Sequence, residues 1–379
     1  MSVNHGFDAE ALANVAVSDT LTSTMNSIRP DLSIIVPILN EAAQLQELLA
    51  SLTGQENITL ELILSDGGSS DDSQEIISEL AADCGFLVTL IQAGRGRGCQ
   101  MNAGAALAAS DLLLFLHVDS RFDDSSALCK AVEFYRHHKS PGSETFAARF
   151  SLKFRFSSPV LPSLAYFFYE AKARLPRNDC IRGDQGFLLN SVTFAKAGGF
   201  DETLSILEDI RLVEATSAKV VWQLLPVVIT TSARRFEKEG LLERQVLNAI
   251  IVNSVATGWT EFFNKLPGIY QCHADSGRLL LRPLLLGIRN LIAGHGRSWQ
   301  RTFWRDTGRH VAGNAWQLFY WLDVRRTFRH SKGAEAVDPF WLNFYGRYLK
   351  PIFESPPAAL LAELLTRIWL LWMLRRTGF

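Results

Sequence analysis

Two spacings of apolar residues alternate along the first third of the chain. Short, mostly apolar runs at 32–36, 60–64, 86–91 and 112–116 have the length of buried strands, and the first is β-branched. Between them, apolar residues recur at helical spacing over 41–52, in the segment that Ser70 or Asp71 can cap, and over 100–109. Strand, helix and strand in repeated order predict a mostly parallel α/β sheet. Pro37 cannot donate to a ladder and is expected to close the first strand. Beyond residue 120 the pattern predicts a helix at 124–138, a strand at 146–156 and an aromatic-rich helix at 161–175. Two short strands at 220–225 and 227–231 and a helix at 241–255 follow. The run Tyr166-Phe167-Phe168-Tyr169 is expected to be core rather than a binding stripe.

The polar residues that interrupt this pattern are candidates for chemistry. The run 112–116 stops at His117-Val118-Asp119, and strand alternation would set His117 and Asp119 on one side, where they could share a divalent cation. A strand simply leaving the core reads the same way. The second strand ends in Ser65-Asp66-Gly67-Gly68-Ser69-Ser70-Asp71, which puts the Asp66 carboxylate at the same sheet edge as Asp119. Gly94-Arg95-Gly96-Arg97-Gly98 stands before a helix, and its N–H groups and guanidinium forks suit a diphosphate. Its spacing is not the dinucleotide fingerprint. Gly183-Asp184-Gln185-Gly186 and Arg234-Arg235-Phe236 are a turn and a basic segment that suit either a site or plain surface. Glu208-Asp209 reads on its own as an acidic helix start.

Taken in order, Ser33-Ile34-Ile35-Val36-Pro37-Ile38-Leu39-Asn40-Glu41, the Asp66 turn, the Asn102-Ala103-Gly104 helix and His117-Val118-Asp119 resemble family 2 glycosyltransferases of GT-A fold. Within that family they are most similar to the radical-SAM/selenodomain-associated transferase subgroup. The resemblance covers roughly residues 32–270. It implies a GT-A type mostly parallel sheet sandwiched by helices, with an added helical C-terminal region. It implies a nucleoside-diphosphate-sugar site built from Pro37, Asn40, Glu41, Asp66 (on the nucleobase) and Asn102, with Arg95, Arg97, Arg234 and Arg235 toward the diphosphate. Asp184 and Gln185 would lie on the acceptor side, Asp209 would be the general base of an inverting transfer, and Glu208 would position it or the acceptor. Asp119 matches the last acid of the D-x-D motif that holds Mn²⁺ or Mg²⁺, while His117 replaces the first acid and Gly67 stands where a second acid of the Asp66 turn is usual.

Composition adds a boundary. Residues 273–379 hold 16 Lys and Arg against 7 Asp and Glu, and seven of the nine tryptophans. The preceding residues are net acidic. The expected organisation is a loose leader at 1–30, a catalytic domain at 31–272 and a basic, Trp-rich helical region at 273–379. That region either lies on an anionic membrane face or packs as a helical subdomain with Trp in its core. No uninterrupted apolar run reaches the length of a span, and Glu363 and Arg367 break the longest one. Five scattered cysteines without a C-x-x-C pair, and a start with no basic and apolar signal pattern, point to a reducing, cytoplasmic setting, with peripheral contact at the inner membrane face. The partners expected are a nucleoside-diphosphate sugar and a hydroxyl acceptor, lipid-linked if the membrane reading holds; nucleic acid is not expected. The competing readings are a nucleotidyltransferase, for which residues 37–40 lack a phosphate loop, and a degenerate, non-catalytic nucleotide-sugar-binding or scaffold protein.

Overall fold

In the computed structural model, which describes residues 29–138, 146–159, 162–204, 206–217, 219–270 and 277–376, the apolar runs become one seven-stranded sheet. Strands β1 (Leu32–Ile38), β2 (Leu60–Asp66), β3 (Leu87–Gln92) and β4 (Leu112–Phe115) are parallel, in the spatial order β3-β2-β1-β4. Helices α1 (Ala42–Thr53), α2 (Ser73–Leu80) and α3 (Arg97–Leu107) connect them. After helix α4 (Ala127–His138) come β5 (Phe146–Arg155), β6 (Phe187–Asn190) and β7 (Val221–Ser232). β6 runs antiparallel to both β4 and β5, and β7 lies parallel to β5 at the sheet edge. The fold is therefore the mixed, mostly parallel α/β sheet expected. The parallel strands are buried almost throughout in β1, β2 and β4 because helices and neighbouring strands take both faces and both sides. The core continues through Phe115, Phe187, Phe194, Phe200 and Trp222.

Three strand ends differ from the sequence pattern. β1 runs through Pro37 to Ile38, because its pairing with β4 has already ended at Ile35 and the missing N–H breaks no ladder bond there. The two short strands near 225 are one strand, β7, in which Pro226 is tolerated at an edge and at a register shift opposite Arg149–Ser151. His117 and Asp119 are not aligned by strand alternation; β4 stops at Phe115, and the Ser120 N–H donates to the His117 carbonyl at 3.1 Å, closing a turn.

The described residues group into two compact units. One holds residues up to Arg155 together with Lys172–Ser232; the other holds Phe156–Ala171 with Ala233–Phe379. The boundary expected at 272 falls within 271–276, outside the described residues, as do Cys272 and residues 1–28 of the expected leader. Arg29, where description begins, is tied down by Asp111 at 2.6 Å and the Ala109 carbonyl at 2.9 Å. Most of helix α5 (Leu164–Ala173) belongs to the second unit, and its aromatic run, expected to be core, is half-buried and packs on rings of that unit. Tyr166 packs edge-on to Phe156, with ring centres 4.8 Å apart, and Phe167 packs on Phe328 at 5.4 Å. The rest of that unit is helical: α7 (Leu241–Ala256), α8 (Leu281–Gly294), α9 (Arg297–Gly313), α10 (Trp316–Arg329) and α11 (Pro356–Arg376), with α6 (Glu208–Thr216) in the first unit. Trp259 and Trp316 are buried. Helix α11 is long and apolar enough to cross a membrane by length and composition alone; Glu363 and Arg367, which interrupt its apolar run as expected, pair with each other at 2.6 Å.

One side chain fixes the spacing of two strand ends. Gln100, buried on α3, donates from its single amide nitrogen to the carbonyls of Ile38 and Ser65, both at 2.7 Å. Replacing Gln100 by Leu removes both bonds, although the Ile38 carbonyl keeps the Gly67 N–H at 3.0 Å, at a cost of about 1–2 kcal/mol. The measurement is the urea midpoint, which should fall with an unchanged slope.

Candidate functional site

The strand order reverses between β1 and β4, and ligands of open α/β sheets bind outside the carboxyl ends of the strands at such a point. Asp66 ends β2 there, fully buried. Its Oδ1 accepts from the Gly68 and Ser69 N–H groups at 3.1 and 2.9 Å and from the Ser69 hydroxyl at 2.7 Å. Its Oδ2 accepts from Gln74 and Gln92 at 2.7 and 3.1 Å. Burial alone would raise this carboxyl, but the five donors outweigh it and hold it below the usual range. Asn40 stands opposite, in the left-handed region at φ 55°, with its Oδ1 accepting from the Ser70 N–H at 2.8 Å and its own N–H donating to Ser69 at 2.9 Å. The Glu41 N–H donates to the Ser73 hydroxyl at 3.1 Å. Asn40 and Asp66 thus stitch the ends of β1 and β2 into one rim.

Gly67 explains the departure from the usual acid in this turn. A Cβ there would lie 3.0 Å from the Gln100 side chain, which its two 2.7 Å bonds prevent from yielding.

The centre of the site is assembled from four distant segments. Arg97, at the first position of α3, sets Nε 3.1 Å from Glu208 Oε1 and Nη1 3.4 Å from His117 Nε2. A guanidinium only donates, so in this contact Nε2 is the accepting atom. Glu208 and Asp209 open α6, directly after Leu207 in the left-handed conformation at φ 71°, a costly setting for a branched side chain. Glu208 is 1% exposed, and its Oε2 has no hydrogen-bond partner among the described residues. Burial pushes its carboxyl up and Asp209 adds to that, while Arg97 opposes it; the net direction is upward. Asp209 accepts the Gly183 N–H on Oδ2 and its neighbour's, Ile210's, on Oδ1, each at 2.8 Å. Gly183 closes the cluster, since a Cβ there would stand 3.1 Å from His117 Nε2.

Other predicted residues take supporting places. Asn102 has both ends of its amide engaged, by the Phe200 backbone at 2.9 Å and by Glu202 at 2.8 Å, and so ties α3 to the 200–202 loop. Gln185 is fully buried between the Ala173 carbonyl and the Arg182 N–H, at 2.6 and 3.1 Å, and braces the turn that presents Asp184. Arg95 is exposed on the glycine loop. Arg234 and Arg235 begin the short helix Arg234–Glu239 of the second unit.

Sequence reasoning missed Arg121. It is buried, and it donates to the carbonyls of Val118 and Ser120, both at 2.7 Å, and of Gln44 at 2.8 Å. It therefore clamps the turn on either side of Asp119. Burial lowers its guanidinium to about 10, with Arg155 adding to the effect. The only signal was an arginine two places after the candidate acid. Asp119 itself is half-buried, and no hydrogen bond among the described residues engages its carboxylate. That open carboxylate suits a divalent cation that takes most of its remaining ligands from phosphate and water. His117 offers such a cation less, since its Nε2 already faces Arg97. Among the described residues no three His, Cys, Asp or Glu side chains converge as a ready-made metal cage.

An α/β sheet with acids and guanidinium groups gathered on its carboxyl edge suits a ligand that carries phosphate groups. Residues 33–182 match the profile of glycosyl transferase family 2, and the chain carries a family 2 glycosyltransferase domain. It is 27% identical over 280 residues to an uncharacterized glycosyltransferase of Mycobacterium tuberculosis (strain H37Rv), covering 73% of this chain and 97% of that protein. It is 35% identical over 111 residues to a PGL/p-HBAD biosynthesis glycosyltransferase of Mycobacterium bovis (strain BCG), covering 29% of this chain and 43% of that one. Solved structures of similar outline include S. aureus TarS 1-349 in complex with UDP, at TM-score 0.45 and 16% identity over 83% of this chain and 91% of that one. Another is the mannosyltransferase PcManGT from Pyrobaculum calidifontis in complex with GDP-Man and Mn2+, at TM-score 0.44 and 14% identity over 90% and 88%. The matches reach the family and do not extend to the subgroup named above.

The Asp66 rim makes a pH prediction. A carboxyl held below its ordinary 3.8 adds stability above that value and loses it as pH falls through the lower, folded-state pKa. Asp66→Asn turns one acceptor into a donor against its own loop, and should cost about 2–3 kcal/mol at neutral pH. Chemical denaturation across pH 2–7 should show the variant with a flatter acid limb than the parent.

Proposed function

We propose that this glycosyltransferase moves a sugar from a nucleoside-diphosphate donor to a hydroxyl, with inversion at the anomeric carbon. The observation that carries the reading is the convergence of Arg97, His117, Gly183, Glu208 and Asp209 beside the switch point of the sheet. A hydroxyl is a poor nucleophile until a carboxylate accepts its proton as it attacks. Asp209 is suited to accept that proton, because each of its oxygens takes one backbone N–H, which aims the carboxylate and leaves lone pairs open. Glu208 holds Arg97 in place, and Arg97, with Arg95, supplies positive charge for the departing diphosphate. The rim of Pro37, Asn40, Glu41 and Asp66 receives the nucleoside, with Asn102 on the donor side, where it ties α3 to the 200–202 loop. Asp184 is assigned to the acceptor side. Asp119 would hold a Mn²⁺ or Mg²⁺ ion. Such an ion supplies further charge neutralisation of the leaving group. The basic, Trp-rich C-terminal region supports peripheral contact with the inner face of a membrane, and with it a lipid-linked acceptor.

The test begins with thermal-shift binding against nucleoside diphosphates and their sugars, with and without Mn²⁺. One nucleotide should raise the midpoint by mass action. With that donor, Asp209→Asn should lower kcat about 10³-fold while nucleotide binding stays within about twofold. Full turnover by Asp209→Asn would remove the proposed base. Asp119→Ala should abolish the dependence of turnover on added metal, read by chelator titration of parent and variant. Arg97→Gln should weaken diphosphate binding about tenfold.

A further inference from the structure

Helix α11 presents two different faces. One face docks on α9, where Gly308 sits beneath the Ala359 carbonyl and beneath Glu363, whose Cβ would be 2.9 Å from a Cβ on the glycine. On the same side the Arg367 guanidinium lies 4.8 Å from the centre of the Trp304 ring and pairs with Glu363. Leu370, Met373 and Leu374 are buried there as well. The opposite face is open. From Leu360 to Trp372 it carries no polar residue, and Leu361, Leu364, Leu365, Ile368, Trp369 and Trp372 follow one another at helical spacing. Leu364 and Leu365 are 54% and 55% exposed, and the two tryptophans 37% and 48%. Single exposed apolar residues need no explanation, but an unbroken half-cylinder about 20 Å long exceeds what a water-facing surface normally shows. It ends in Arg375-Arg376, and Arg376 lies 4.9 Å over the Trp372 ring.

The same unit repeats the theme. Phe340, Phe344, Tyr348 and Ile352 are exposed at helical spacing, with Arg347 over Tyr348 at 5.5 Å, and on α10 Leu318 and Trp321 are exposed, with Arg325 over Trp321 at 5.0 Å. Aromatic rings paired with arginines suit the boundary between acyl chains and phosphates, where the ring meets hydrocarbon and the guanidinium meets an anion.

We infer that α11 lies lengthwise in the headgroup region of an anionic lipid bilayer, with its Leu361–Trp372 face among the acyl chains and Arg375 and Arg376 on lipid phosphates. Crossing the bilayer is disfavoured by the other face. That face is fixed to α9, whose Arg301, Arg305 and Arg309 are exposed, and taking those charges into hydrocarbon costs several kcal/mol. The inference deepens the membrane contact proposed above and is independent of the chemistry of the first unit.

The experiment is co-sedimentation of the full chain with vesicles of phosphatidylcholine alone or mixed with phosphatidylglycerol. The parent should bind the mixed vesicles, and the tryptophan emission should shift to the blue and be quenched by lipids brominated in the acyl chain. Leu364→Glu/Ile368→Glu should lower the partition coefficient at least about tenfold. Arg375→Gln/Arg376→Gln should remove most of the preference for phosphatidylglycerol. Trp369→Phe/Trp372→Phe should lose most of the bromine quenching. Because the substituted side chains face water, the variants should keep the parental thermal transition and nucleotide-induced shift. The quenching of the parent tests the reading without the charged variant. Absence of vesicle binding by the parent would overturn the inference, as would equal binding by the Leu364→Glu/Ile368→Glu protein. A dimer that this double substitution dissociates, with no vesicle binding, would assign the face to a second copy instead. None of these failures would touch the transferase reading, which the nucleotide-induced shift reports separately.

Discussion

A carboxylate taken out of water needs a countercharge, and Glu208 has one guanidinium, that of Arg97. The geometry of the site follows from this pair. Glu208 is buried at the start of α6, so it cannot follow a moving partner; Arg97 must come to it, and in doing so brings the glycine loop against His117. Asp209, next in the chain, is then oriented by the Gly183 N–H from a third segment. A loop, a strand end, a turn and a helix start are thereby locked to one another by polar contacts whose loss would leave a desolvated charge.

Around that pair the fold provides two kinds of support. One is backbone stitching at strand ends, done by Gln100 for β1 and β2 and by Arg121 for the turn that carries Asp119. The other is the pairing of Asp66 with five donors of its own loop and neighbours. A group so fully satisfied adds a ligand contact only through a lone pair it still has, and these bonds hold its loop without any ligand. This kind of preorganisation lowers the entropy lost on binding.

The sheet was legible in the sequence because buried parallel strands read as mostly apolar runs, and β1, β2 and β4 are such runs. Pro226 divided β7 in the pattern, since no local rule shows that a proline sits at an edge opposite a bulge. The candidate acids were visible as polar interruptions at strand ends. Their partners were not: the Arg97–Glu208 pair joins segments remote in sequence, and Arg121 resembled a surface arginine. The place of Asn102 and Gln185 as braces was equally hidden, because an amide in a motif looks the same whether it meets a ligand or a carbonyl. The grouping of Phe156–Ala171 with the C-terminal helices had a compositional clue in its aromatic run, but a local pattern does not say which core the rings enter.

Gly67 carries a consequence for how this lineage of sequences can change. The space that an acid at position 67 would enter is held by Gln100, whose amide is fixed by two strand carbonyls. The two positions are therefore epistatic. An acid introduced at 67 alone brings its Cβ 3.0 Å from the Gln100 side chain, and a smaller residue at 100 alone removes the Gln100 bonds to the Ile38 and Ser65 carbonyls, so the two substitutions are not expected to add. The residue that position 67 can carry thus depends on the side chain that stands at 100.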